Sequence, residues 1–141
     1  MFEKVLVGAD DSATARRAVE TAAEIAAMSK SELHIVSAHD PKSFNASSLG
    51  EKIDTVNTEG DVDSLLQVLS FVAQKYGLEP VLHASHGDPA NALVRIADEI
   101  DADLIVVGNR GMKGVRRVLG SVPNSVAHEA NCSVLIVDTT E

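Results

Sequence analysis

Apolar positions along this chain fall into short unbroken runs that alternate with stretches of helical period. Residues 5–9 read Val-Leu-Val-Gly-Ala, residues 33–38 Leu-His-Ile-Val-Ser-Ala, residues 104–107 Leu-Ile-Val-Val and residues 133–137 Ser-Val-Leu-Ile-Val. Runs of this length, bounded by polar turns, suit strands buried on both faces. Residues 80–85, Pro-Val-Leu-His-Ala-Ser, form a weaker strand, third in chain order. Between the first two strands, Ala18, Val19, Ala22, Ala23 and Ala26 recur at helical spacing. They predict a helix capped by Asp11 or Ser12, packed closely on a sheet and ending near Met28. Val62, Leu65, Leu66, Leu69, Val72 and Tyr76 predict a second helix, with Asp61 as its cap and Gly77 as its stop. A third carries Leu93, Val94, Ile96, Ala97 and Ile100 and is entered through Gly87-Asp88-Pro89, with Asp88 as N-cap and Pro89 at the first helical position. Residues 121–129 predict a short fourth helix. Residues 40–60 show no clear period and predict a long connection with at most a partial helix.

Strands and amphipathic helices in strict alternation call for a parallel sheet covered on both faces and joined by right-handed crossovers. The expected fold is α/β: a single doubly wound, Rossmann-like sheet of five parallel strands. No internal repeat or interior linker divides the chain, so residues 1–141 are expected to form one domain. With the strand order 3-2-1-4-5, strands one and four are neighbours where the order reverses, and ligands of such sheets bind beyond the carboxyl ends at that point. The Asp10 turn and the segment from Gly108 to Ser121 then face each other across one crevice.

That segment reads Gly108-Asn109-Arg110-Gly111-Met112-Lys113-Gly114-Val115-Arg116-Arg117-Val118-Leu119-Gly120-Ser121-Val122. Four of the chain's twelve Lys and Arg lie between positions 110 and 117, and no acidic residue occurs from Leu104 to His128. Glycines let backbone N–H groups approach an anion, and a helix start offers unpaired donors. The bland reading is a strand–loop–helix connection with a solvated basic edge. An acidic group facing a basic, glycine-rich cradle suits a nucleotide: the carboxylate accepts from ribose hydroxyls or holds a divalent metal, and N–H groups receive phosphate.

Composition narrows the partners. The 141 residues carry a formal charge of −9 and only three Phe, one Tyr and no Trp, with a pI near 4.9. An acidic chain with so few aromatics argues against a nucleic-acid partner, which needs a basic face or a stacking platform. A small phosphorylated ligand feels mainly the local loop. Cys132 is the sole cysteine, which rules out an intrachain disulfide and reads as a small buried hydrophobe. No run approaches membrane length and no signal segment opens the chain, so a cytoplasmic protein with no membrane partner is expected.

Taken together, Val5-Leu6-Val7-Gly8-Ala9-Asp10 with Ser12, Gly87-Asp88-Pro89, Val107-Gly108-Asn109-Arg110-Gly111, Gly120-Ser121-Val122 and Cys132-Ser133-Val134-Leu135-Ile136-Val137 resemble the universal stress protein family over essentially the whole chain. The resemblance implies a stress-linked, usually dimeric protein that binds an adenine nucleotide, ATP or AMP, with Mg²⁺ or Mn²⁺ accompanying ATP, or that carries no nucleotide. It implies that Ala9 and Asp10 border the adenosine and that the Ala38 backbone meets the adenine edge. Gly108 would approach the ribose, its motif neighbours Val107, Asn109 and Arg110 would belong to the same nucleotide site, and Gly111, Gly120, Ser121 and Val122 would hold phosphates mainly through backbone N–H groups. The chain departs from the ATP-binding members it resembles in two places. Eight residues rather than nine separate Gly111 from Gly120, and Asp11 stands where Gly or an aromatic is common. The alternative expectation is therefore a nucleotide-free dimeric interaction protein whose shortened loop does not hold ATP.

Other readings fare less well. A phospho-accepting receiver domain would share the fold and an acidic pair like Asp10-Asp11. It also needs an acceptor Asp, a Ser or Thr and a Lys where this chain has His86-Gly87, Gly108-Asn109 and Asp138-Thr139. No nucleophile elbow and no Gly-Lys-Ser/Thr phosphate loop occurs, which leaves slow ATP hydrolysis as the most that enzyme chemistry would offer. His34, His39, His83 and His86 are expected to be solvated or hydrogen-bonded loop histidines rather than metal ligands, and His128 a surface residue. Val134 to Val137, on the sheet's edge strand, is too apolar to stay open and predicts pairing with a second copy.

Overall fold

The computed structural model describes residues 2–9, 15–39, 54–109 and 121–139. Within them five strands alternate with four helices: β1 Lys4–Gly8, α1 Ala15–Ser29, β2 Glu32–His39, α2 Asp54–Gln74, β3 Val81–His86, α3 Pro89–Ile100, β4 Leu104–Gly108, α4 Ser121–Glu129 and β5 Ser133–Val137. Every strand pairing is parallel, and the sheet order is β3-β2-β1-β4-β5, as expected. β1 lies in the middle, with Val7 registered to Ile35 on one side and to Val106 on the other.

Alternation along the central strands divides the core in two. Val5, Val7, Ile35 and Val106 pack with α1 and with Leu66, Leu69 and Val72 of α2; Leu6, Val36, Ile105 and Val107 pack with Leu93 and Ile96 of α3 and Val126 of α4. Val5, Leu6 and Val7 are all wholly buried, as a strand with helices over both faces requires. Removing each such side chain from water contributes about 1.5–3 kcal/mol. The alanine stripe of α1 lies at the same interface: Ala18, Ala22, Ala23 and Ala26 are buried, and their small side chains let the helix sit close to the sheet. Asp88 caps α3, its carboxylate accepting from Asn91 N at 3.0 Å, with Pro89 at the first position of the helix.

The main correction concerns α2, which begins at Asp54. Gly60 and Asp61 lie inside the helix, so Asp61 is not its cap. One interior glycine costs about 1 kcal/mol relative to alanine, and that is too little to stop a helix whose next turns pack Leu66, Leu69 and Val72 on the sheet. The helix ends at Gln74, two residues short of Tyr76, and the chain turns at Gly77, whose φ of +80° suits glycine. β2 reaches His39 and β3 runs to His86, each longer at its carboxyl end than the apolar pattern suggests. Backbone pairing between the two continues through Ala38↔Ser85 and His39↔His86 regardless of polarity.

Candidate functional site

The strand order reverses between β1 and β4. Two residues beyond the registered pair Val7↔Val106, Ala9 follows β1 and Gly108 ends β4 at the carboxyl edge of the sheet. Ala9 N donates to Val36 O at 2.9 Å, which holds the exit of β1 against β2. Asn109 N donates to Val137 O at 3.0 Å and holds the exit of β4 against β5 in the same way. The predicted crevice is thus framed by backbone that the two ladders fix.

Two glycines mark close approaches at this edge. A Cβ on Gly8 would stand 2.7 Å from Leu93 Cδ1, and one on Gly108 would stand 3.1 Å from Thr139 Cγ2. Ala38, half-buried near the end of β2, extends two residues beyond the pair Gly8↔Val36. Val107 is 3% exposed and its side chain belongs to the core under α3 and α4. Ser121 is exposed as the first residue of α4, and Val122 packs against the same core. Asp10, Arg110, Gly111 and Gly120 lie outside the described residues, as do the proposed helix caps Asp11 and Ser12.

Asn109 is placed differently from a ligand-facing residue. It is buried, its Oδ1 accepts from Thr139 N at 2.9 Å and Thr139 Oγ1 at 3.1 Å, and its Nδ2 donates to Asp138 Oδ1 at 3.1 Å. The sequence carries no signal for this contact, because thirty positions separate partners that only the β4–β5 pairing brings together.

The histidines also correct expectation. His34 lies within β2, not in a loop, and is buried; its Nδ1 meets His83 Nε2 at 3.0 Å and its Nε2 meets Glu32 Oε1 at 3.1 Å. Burial, then the neighbouring His34 ring, hold His83 below the ordinary imidazole range, while Glu99 pulls the other way. Nearby, Arg95 Nη2 donates to Ser85 Oγ at 2.8 Å. His128 is exposed at the end of α4, as expected. Cys132, expected to be buried, is only half-buried; that partial burial pushes its thiol up, and Asp98 and Asp103 reinforce this. Among the described residues no group of three or more His, Cys, Asp or Glu is arranged to hold a metal, and no helix is long and apolar enough to cross a membrane.

Comparison with known proteins adds a second line of observation. The family model described as universal stress protein family matches residues 1–138. A universal stress protein of Mycobacterium tuberculosis is 38% identical over 144 residues, covering 99% of this chain and 98% of the relative. A universal stress protein solved in complex with cAMP superposes with a TM-score of 0.79 at 35% identity, covering 99% of this chain and 98% of that one. A universal stress protein of Archaeoglobus fulgidus, solved in complex with dAMP, superposes with a TM-score of 0.69 at 24% identity, covering 98% of each chain, and bears on the fold alone.

Proposed function

The chain belongs to the universal stress protein family, and from that premise we propose that it binds an adenine nucleotide at the switch point between β1 and β4, acting as a dimeric cytoplasmic sensor or regulator in a stress response. One observation carries the reading: the strand order reverses between neighbouring β1 and β4, whose carboxyl ends carry Ala9 and Gly108, in a chain 35% identical to a protein solved with cAMP. In this reading the whole chain acts as one nucleotide-binding unit. Ala9 and Asp10 border the adenosine, the Ala38 main chain meets the adenine edge, and Gly108 approaches the ribose. Gly111, Gly120, Ser121 and Val122 offer N–H groups to phosphate, with Arg110 adding local positive charge. Val107 contributes backbone only.

AMP, cyclic AMP and ATP share the adenosine contacts and differ in their demand on the glycine loop. Mg²⁺ or Mn²⁺ would enter with the phosphates of ATP. In this reading the protein positions phosphate and no residue of the sequence stands out as a general base, so hydrolysis of ATP would at most be slow. Dimerisation is proposed through β5, where Val134 to Val137 remain only half-buried on an edge strand.

Calorimetric titration with ATP, AMP and cyclic AMP, with and without Mg²⁺, tests the reading. Gly120→Val is expected to abolish binding by blocking backbone approach while the fold survives. Absence of heat and of a thermal shift for every nucleotide would favour the second reading, a nucleotide-free dimeric interaction protein, to which the eight-residue spacing from Gly111 to Gly120 points. A monomeric mass by light scattering at micromolar concentration would refute the dimer.

A further inference from the structure

The side chain of Asn109 spends its bonding capacity on the end of the chain. Its amide oxygen has two lone pairs, and Thr139 uses both, through N at 2.9 Å and Oγ1 at 3.1 Å. Its Nδ2 meets Asp138 Oδ1 at 3.1 Å, and its own N–H meets Val137 O at 3.0 Å. Asn109 and Thr139 are each 3% exposed, so the two bonds between them lie where water does not replace them, whereas the bond to the exposed Asp138 is only part-buried. Thr139 in turn covers Gly108, with its Cγ2 3.1 Å and its Oγ1 3.3 Å from where a Cβ would stand. The residue at which the chain leaves β4 toward the nucleotide loop is therefore clasped from behind by the segment that follows β5.

We propose that Asn109 is a positioning residue: by clasping Asp138 and Thr139 it sets the main-chain course at Gly108 for nucleotide binding, without touching the nucleotide itself. The proposal rests on the adenine-nucleotide reading above and adds to it a dependence of ligand affinity on the last residues of the chain. The physical reason lies in the cost of broken bonds. Removing the Asn109 carboxamide strands the Thr139 N–H and hydroxyl in a dry place, and an unmet buried donor is costly enough to make the segment rearrange. Gly108 then loses the neighbour that confines it. A contact that acts through another residue changes affinity without removing a ligand bond, and such residues typically shift binding about threefold to thirtyfold.

The test titrates the full chain with cyclic AMP and with AMP, for the wild type and for variants chosen to separate a clasp from a contact. Asn109→Ala and Thr139→Val should each weaken binding about tenfold, while Thr139→Ser, which keeps the hydroxyl, should stay near wild type. Thr139→Val added to Asn109→Ala should cost little more than Asn109→Ala alone, because both break one clasp. Asn109→Asp should weaken binding by facing Asp138 with a second carboxylate, and Asp138→Asn added to it should restore affinity by rebuilding the bond in reverse. Loss confined to the Asn109 variants, with Thr139→Val at wild-type affinity, would mean that Asn109 meets the ligand directly and would overturn the proposal. So would variants that lose only stability in urea and bind as the wild type does. If the wild type itself binds no adenine nucleotide, the nucleotide reading fails and the proposal falls with it, an outcome distinct from a binding wild type with unaffected variants.

Discussion

Gly8→Ala tests whether the end of β1 is shaped by α3. The added methyl would stand 2.7 Å from Leu93 Cδ1, 3.0 Å from Cδ2 and 3.2 Å from Cγ. Carbon pairs rest near 3.5–4.0 Å, so Leu93 must withdraw by roughly 0.8 Å or change rotamer. Little room exists for either, because Leu93 is 3% exposed and packed with Leu6, Ile96 and Ile105. Strand β1 does not yield either, since Gly8 is registered to Val36 in the ladder with β2. Overpacking of this kind costs about 1–3 kcal/mol. Replacing glycine by alanine also removes freedom from the unfolded chain, which restores about 0.4–1 kcal/mol. With Leu93 confined, the steric cost falls in the upper part of its range, about 2–3 kcal/mol, and leaves a net loss of roughly 1–2 kcal/mol. Urea unfolding at neutral pH reads this as a midpoint lowered by roughly 0.5–1 M at an unchanged slope near 2 kcal/mol/M. Leu93→Ala alone should cost about 2–5 kcal/mol. In the double variant the new methyl enters space that Leu93 vacates, so the combined loss should fall short of the sum by about 1 kcal/mol or more. An unchanged midpoint for Gly8→Ala, or strict additivity with Leu93→Ala, would refute the reasoning.

Three further outcomes follow from described contacts. The fold favours neutral His83, so that stability is complete above the unfolded imidazole value near 6.5 and declines as pH falls below it; the urea midpoint should drop from pH 7.5 to pH 5.5, and less so in His83→Gln. Asp88→Ala removes the acceptor of Asn91 N and should cost about 1 kcal/mol, which Asp88→Ser largely recovers in the same assay. Asp103 Oδ2 accepts from Glu3 N and Lys4 N, and these bonds hold its carboxyl below the usual range. Its contribution is present above the unfolded carboxylate value and is lost as pH falls through the lower folded one; Asp103→Asn should speed amide exchange at Glu3 and Lys4 at neutral pH and leave acid unfolding less steep.

The parts of the fold that were legible in the sequence are those governed by local pattern. α4 and β5 fall where their apolar spacing puts them, and Asp88-Pro89 opens α3 because capping depends on residues three apart. The start of α2 was not legible: Gly60 and Asp61 look like punctuation, and packing further along outweighs a small local preference. Family resemblance supplied the candidate residues and a backbone role for several of them, but it did not say what the side chains of Val107 and Asn109 do. Val107 and Asn109 stand within the nucleotide motif, yet one side chain is core and the other is bound to Asp138 and Thr139. The His34–His83 contact was hidden for a related reason. It joins β2 to β3 across 49 positions, and only the register of the sheet brings the two rings together.

The central place of β1 also has a consequence for how the chain is made. Its first partner, β2, begins at Glu32, but its second, β4, begins only at Leu104. At about 5–20 residues per second, synthesis separates the two by several seconds to about 15 s. During that time a nascent sheet of β1, β2 and β3 has an open hydrogen-bonding edge along Val5, Leu6 and Val7, the residues that end wholly buried. The strand that anchors both halves of the finished core is thus, on the ribosome, an apolar edge open to other chains until β4 emerges to close it.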